Sequence, residues 1–224
     1  MLADGEFITR IEGTSNTACI ISLTHLMSPI ATLYVGQERV KFHVYQDTLC
    51  KLPFFQAALR GNFREASEQV ITMPEDDPSR VSALIEFLYT GNYTYPYDPE
   101  TTPLRVGSIT PIGDFTQGLF HVGVYVIASK YDCPPLVAIA MKNFTALATE
   151  LASIDALRLW KAAYSEGLQI PGRRQDFVRY RSGRGLVSWV QGLFEENRQE
   201  MEKTMSEVPE LSCDLLRIAT GKDC

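Results

Sequence analysis

Glu86-Phe87-Leu88-Tyr89-Thr90-Gly91-Asn92-Tyr93 reads as the end of a helix running into a tight turn. Upstream, Asp77-Pro78 supplies both parts of a helix start. The aspartate can accept from orphan backbone N–H groups, and proline fits the first helical position, where its missing N–H costs nothing. Val81, Leu84, Ile85 and Leu88 then recur at helical spacing and form one apolar stripe. Gly91 ends the helix, because it can take a backbone conformation that a Cβ would obstruct. Tyr89 and Tyr93 pair a large apolar body with a polar tip, which suits a helix end packed against a sheet edge.

Toward the N-terminus, Val70-Ile71-Thr72-Met73 reads as a short strand. Pro53 opens a short helix with Phe54, Phe55, Ala58 and Leu59 on its apolar side and Gly61 as its stop. Asp47 is expected to cap another short helix reaching Lys51. Two β-rich runs, Ile30 to Val35 and Val40 to Val44, flank Gly36-Gln37-Glu38-Arg39 and predict a hairpin. Before them, Cys19, Ile20, Leu23, Leu26 and Met27 fall at helical spacing from Thr17, and Phe7 to Ile11 reads as a short strand. A hairpin, two short helices, a strand and a helix in such a short span define an α+β arrangement: a small β-sheet flanked by helices.

Downstream, residues 94–118 are rich in Pro, Thr, Gly and Tyr without a sustained period, and read as a long loop insertion. Regular structure resumes over Leu119 to Lys130. A helix follows from Pro134, with Leu136, Ile139, Ala140, Phe144 and Leu147 facing inward. Beyond it the chain reads as helix and loop only. Ser153 to Tyr164 carries Leu157, Trp160 and Tyr164 on one face, with Gly167 beyond its end. Leu186 to Met205 carries a stripe through Trp189, Val190, Leu193, Phe194, Asn197 and Met201. The expected divisions are a strand and helix segment over 1–29, an α+β domain over 30–147 and an all-helical extension over 148–224.

The net charge of −6 argues against a general affinity for nucleic acid or anionic membrane. The five cysteines, Cys19, Cys50, Cys133, Cys213 and Cys224, are far apart with no C-x-x-C pair. That pattern suits neither a disulfide framework nor a zinc site. The opening Met1-Leu2-Ala3-Asp4-Gly5-Glu6 is acidic where a signal peptide is basic, and no apolar run is long enough to span a membrane. The expectation is a protein of the reducing cytosol or nucleus. His25, His43 and His121 fall in three separate elements without metal-ligand spacing. No G-x-S-x-G, Walker or G-x-G-x-x-G motif occurs, so neither an enzyme nor a cofactor is expected.

Three blocks together resemble the BTB/POZ family. The first is Phe42-His43-Val44-Tyr45-Gln46-Asp47-Thr48-Leu49-Cys50 followed by Pro53-Phe54-Phe55. It is similar to the family's F-x-V-H strand and the helices after it. The second, Glu86 to Tyr93, is similar to its closing helix and Y-T-G-x-Y turn. The third, Val124-Tyr125-Val126-Ile127-Ala128-Ser129-Lys130-Tyr131-Asp132, is similar to its A-x-K-Y-D segment. The resemblance implies a BTB/POZ fold with a long insertion of a kind typical of fungal members, and a helical extension that is BACK-like by position. Tyr45 stands where the family's histidine usually does, and Pro29-Ile30-Ala31-Thr32 lacks the aspartate that contributes to a charged dimer pocket in transcription-factor members. A corepressor pocket of that kind is not expected.

By this resemblance the function expected is a protein–protein interaction adaptor or scaffold. Phe63-Arg64-Glu65 resembles the hydrophobic-x-Glu element that ligase-recruiting members place against a cullin scaffold, making Phe63 and Glu65 the candidate partner-binding pair. Ile20, Leu23, Leu26 and Met27 are the candidate interface of a homodimer. Arg173, Arg174, Arg179, Arg181 and Arg184, around Phe177 and Tyr180, form a basic segment. It supports an alternative reading as a transcriptional regulator contacting nucleic acid, against the reading as a solvated loop answering the acidic helix after it.

Overall fold

A computed structural model describes residues 28–96, 115–151, 153–167 and 198–213, together with 192 and 195. Packing divides the chain into two units that meet between Thr94 and Tyr95. The first holds β1 (Ile30–Val35), β2 (Val40–Tyr45), α1 (Gln46–Leu49), α2 (Pro53–Arg60), α3 (Arg64–Glu68), β3 (Val70–Met73) and α4 (Pro78–Thr90). The second holds α5 (Phe115–Lys130), α6 (Pro134–Glu150), α7 (Ser153–Gly167) and α8 (Arg198–Glu207).

β1 is the central strand of a three-stranded sheet of order β2-β1-β3. It runs antiparallel to β2, with Ile30 opposite Tyr45 and Val35 opposite Val40. It runs parallel to β3, with Thr32 opposite Val70 and Val35 opposite Met73. Side chains alternate across a strand, so Ala31, Leu33 and Val35 point inward and have no exposed surface. The hairpin turn is built on Gly36 at φ +73° and Arg39 at φ +54°. A Cβ at Gly36 would lie 3.2 Å from Pro78 Cγ, so this turn sits directly on the start of α4. On the other sheet face, the Arg39 guanidinium stands 4.7 Å from the centre of the Tyr34 ring, a cation–π distance.

The parallel partner of β1 cannot follow from a tight turn and needs a crossover. Helices α1 to α3 supply it. β2 runs one residue further than its apolar run suggested, to Tyr45. Asp47 is not the cap of α1, which ends at Leu49. The Pro29 carbonyl accepts from the Gln46 N–H at 2.8 Å, and the Ser28 hydroxyl accepts from the Asp47 N–H at 2.9 Å. With the first turn satisfied from outside, the Asp47 carboxylate is free to pair with Arg60 at 2.6 Å.

α4 is built as its sequence predicts. The Asp77 carboxylate accepts from the N–H groups of Ser79 and Arg80, at 2.9 and 3.2 Å. Burial alone would raise its pKa, but these donors and the Ser79 hydroxyl outweigh that and hold it below the ordinary value. At the other end Gly91 sits at φ +77° and its N–H donates to the Phe87 carbonyl at 2.8 Å, a left-handed helix stop. The Glu86 carboxylate accepts from the Thr94 N–H at 3.0 Å and folds the chain back on the helix. The Tyr89 hydroxyl accepts from the Tyr45 N–H at 3.1 Å, and the Lys51 ammonium donates to the Leu88 carbonyl at 2.9 Å. Val81, Ala83, Leu84 and Leu88 are buried, whereas Ile85 is only half-buried.

In the second unit, α5 starts at Phe115, inside the 94–118 span read as a loop. Gly118 gave that stretch its loop-like composition, yet it lies within the helix. A Cβ there would come within 2.5 Å of Leu159 Cδ2, so the glycine permits α5 to approach α7. α6 buries Leu136, Ala140, Phe144 and Leu147 together with Met141, while Ile139 is half-buried. α7 buries Leu157, Leu159, Trp160 and Tyr164, and the Trp160 ring meets Phe144 edge-on at 5.0 Å. Gly167 is the last residue of that helix, not a stop beyond it. Lys161 pairs with Glu207, joining α7 to α8, where Met201 is buried. Of residues 186–197, only Gly192 and Glu195 are described, and both are helical. The helices α5 and α6 pack on each other and on α7.

Leu88 is 7% exposed. Leu88→Ala is expected to cost about 2–5 kcal/mol through lost burial and the cavity left behind. Urea unfolding checks this, and a change within about 0.5 kcal/mol would place that side chain on the surface.

His121, buried in α5, has its pKa pushed down from 6.5 to about 4 by loss of hydration. The unfolded chain takes up this proton near its ordinary value and the folded chain only near 4. The contribution is therefore complete above the unfolded value and is lost as pH falls through the window between them. His121→Gln should flatten the fall of the thermal midpoint between about pH 7 and pH 5; equal slopes in both proteins would contradict the assignment.

Candidate interaction surface

The segment from Leu52 to Met73 builds a groove on the first unit. Leu52 is extended and buried, and Pro53 opens α2 behind it. The inward stripe of α2 is Phe55 and Leu59, which are 0% and 2% exposed. Phe54 was expected on that side, but it lies one residue and about 100° around the helix from Phe55. It points outward and is 48% exposed. α2 ends at Gly61, whose backbone is extended and so close to the preceding turn that a Cβ would lie 2.4 Å from the Ala57 carbonyl oxygen. The Phe63 ring packs against the same spot, 3.0 Å away, while most of its surface stays in solvent at 62% exposure.

Phe63 is the N-cap of α3, a five-residue helix absent from the sequence-based expectation. Glu65 lies in its first turn, and Arg64 pairs with Glu68 at 3.5 Å across one turn. Gln69, in the left-handed region at φ 55°, ends α3 and turns the chain into β3. The groove between α2, α3 and β3 encloses about 370 Å³ and is lined by Phe54, Ala57, Phe63, Glu65, Val70 and Thr72 among others. Its walls mix apolar residues with the polar Arg64, Glu65, Glu68 and Thr72. Arg64 and Glu68 answer each other, and no described cation forms an ion pair with Glu65.

Phe63 and Glu65 are thus brought to one groove. Phe54, Val70 and Thr72 were missed as its wall. The available signal was the offset of Phe54 from the Phe55–Leu59 stripe, together with the edge position of the Val70–Met73 strand. The stripe Ile20, Leu23, Leu26 and Met27 lies outside the described residues, as do Arg173, Arg174, Arg179, Arg181 and Arg184.

Other reactive side chains do not converge. His43 is exposed on β2, its Nδ1 3.3 Å from the Thr32 hydroxyl, and His121 is buried in the other unit. His25 lies outside the described residues. Burial pushes the Cys50 and Cys133 thiols up, away from the reactive thiolate. Among the described residues no group of three His, Cys, Asp or Glu side chains could hold a metal ion, and no helix is long and apolar enough to cross a membrane.

The family model of the BTB/POZ domain matches residues 31–104. The match runs from the second residue of β1 past the turn that closes α4, and so includes the crossover, the groove and all three strands but for Ile30. The Val124–Asp132 block lies outside it. BTB/POZ is a family of protein-interaction domains and not of enzymes. This chain carries a BTB/POZ domain, a three-stranded sheet flanked by helices, followed by a helical C-terminal region.

Proposed function

We propose that this chain is an interaction adaptor whose BTB/POZ domain docks a cullin-type ubiquitin-ligase scaffold through Phe63 and Glu65. The observation that carries the reading is the exposure of Phe63, 62%, on a groove shared with Glu65. A large aromatic left in water beside a groove is a ready anchor for a partner that would cover it. A carboxylate two residues on can orient the partner through a charge-assisted hydrogen bond. The acidic net charge and the domain family both favour a protein partner over nucleic acid. The long segment between α4 and α5 supports a place in the fungal type of the family.

The test is calorimetric titration of the full chain against the N-terminal domain of a cullin from the same organism. Binding is expected, and Phe63→Ala should weaken it by about 2 kcal/mol or more, as for a hot-spot anchor. Unchanged affinity in that variant would move the contact elsewhere. An absence of heat and of a complex in gel filtration at roughly 50 μM would leave a scaffold that does not recruit a ligase.

A further inference from the structure

Among the described residues, β3 has one paired edge and one open edge. On the paired side, the Gln69 and Met73 carbonyls accept from the N–H groups of Thr32 and Gly36, both at 2.9 Å. Main-chain groups alternate in direction along a strand, so Gln69, Ile71 and Met73 serve β1. Val70 and Thr72 turn their N–H and C=O groups the other way, and among the described residues these groups bond no other backbone. The strand has only four residues, and no proline or lysine blunts it, although such residues commonly protect exposed edges. Val70 and Thr72 also line the groove, together with Phe54 and Phe63.

The geometry points to strand addition: we propose that this groove takes an extended peptide from a partner protein as a fourth strand on β3. Its backbone would meet Val70 and Thr72. Its alternate side chains would set one apolar residue between Phe54 and Phe63 and one Lys or Arg against Glu65. The charge complement follows from the lining, where Arg64 already answers Glu68 and Glu65 has no described ion-pair partner. The mode is separable from the cullin reading: both use the Phe63 and Glu65 side chains, but only strand addition needs the main chain of Val70 and Thr72.

The probe is a random heptapeptide display library selected against the full chain, with the enriched peptides resynthesised for fluorescence polarisation. The enriched set should alternate and carry one apolar and one basic position. N-methylation of the peptide amides that face β3 should weaken binding about tenfold or more, since each removed donor leaves a strand acceptor unmet. Thr72→Pro should weaken it similarly, because proline is tolerated on an open strand edge but removes the N–H. The N-methylated peptides carry the test if that variant fails to fold. Cullin binding should survive Thr72→Pro and fail in Phe63→Ala, which tells the two readings apart. No enrichment, or binding indifferent to N-methylation, would overturn the proposal. So would a wild-type dimer in light scattering that Thr72→Pro returns to monomer, since the edge would then belong to a second copy.

Discussion

The strand β1 is the constraint on which the first unit depends. It is hydrogen-bonded on both sides, antiparallel to β2 and parallel to β3, and its inner face of Ala31, Leu33 and Val35 is sealed from water. A central strand with both edges used leaves two outer edges in a three-stranded sheet. The parallel pair also obliges the chain to leave the sheet between β2 and β3. Every feature of the groove lies on that excursion or on the strand it delivers. The short helices are therefore the required path from β2 to β3, and the groove is the space left beside its far end.

α4 closes this arrangement from the other direction. Its last turn reaches β2 through the Tyr89 hydroxyl and the turn after α1 through Lys51. A helix C-terminus presents unmet carbonyls, and here one of them takes an ammonium group and the helix stop turns back through Thr94 to Glu86. The apolar stripe of the helix and its polar end thus fix the same placement.

The legible parts of the fold were those where a backbone requirement selects a residue type. Asp77-Pro78 and Gly91 marked both ends of α4, because a cap, a first-turn proline and a left-handed stop each need particular chemistry. Gly36 marked the hairpin for the same reason. α3 was not legible: five residues carry little periodicity, and Phe63 at its N-cap offers no side-chain acceptor. Asp47 misled, because a carboxylate ahead of a helix has the form of a cap, while the actual acceptors are Ser28 and Pro29, some twenty residues earlier in the chain. Gly118 misled in the opposite sense, as its need is set by Leu159 far along the sequence. In the groove, Phe63 and Glu65 could be named from a motif. Phe54 answers to no motif, and only its offset from the Phe55–Leu59 stripe marks it as the outward member of the aromatic pair.

The contact between Gly36 and Pro78 joins two positions far apart in the chain. One makes the hairpin turn and the other opens α4. At position 36 a side chain meets two obstacles at once, a left-handed backbone and the proline ring. Replacing Pro78 with a smaller residue removes only the second. A side chain at position 36 therefore strains the turn whatever stands at position 78, while the proline ring need give way only by a few tenths of an ångström, so the hairpin and the helix start share one small volume.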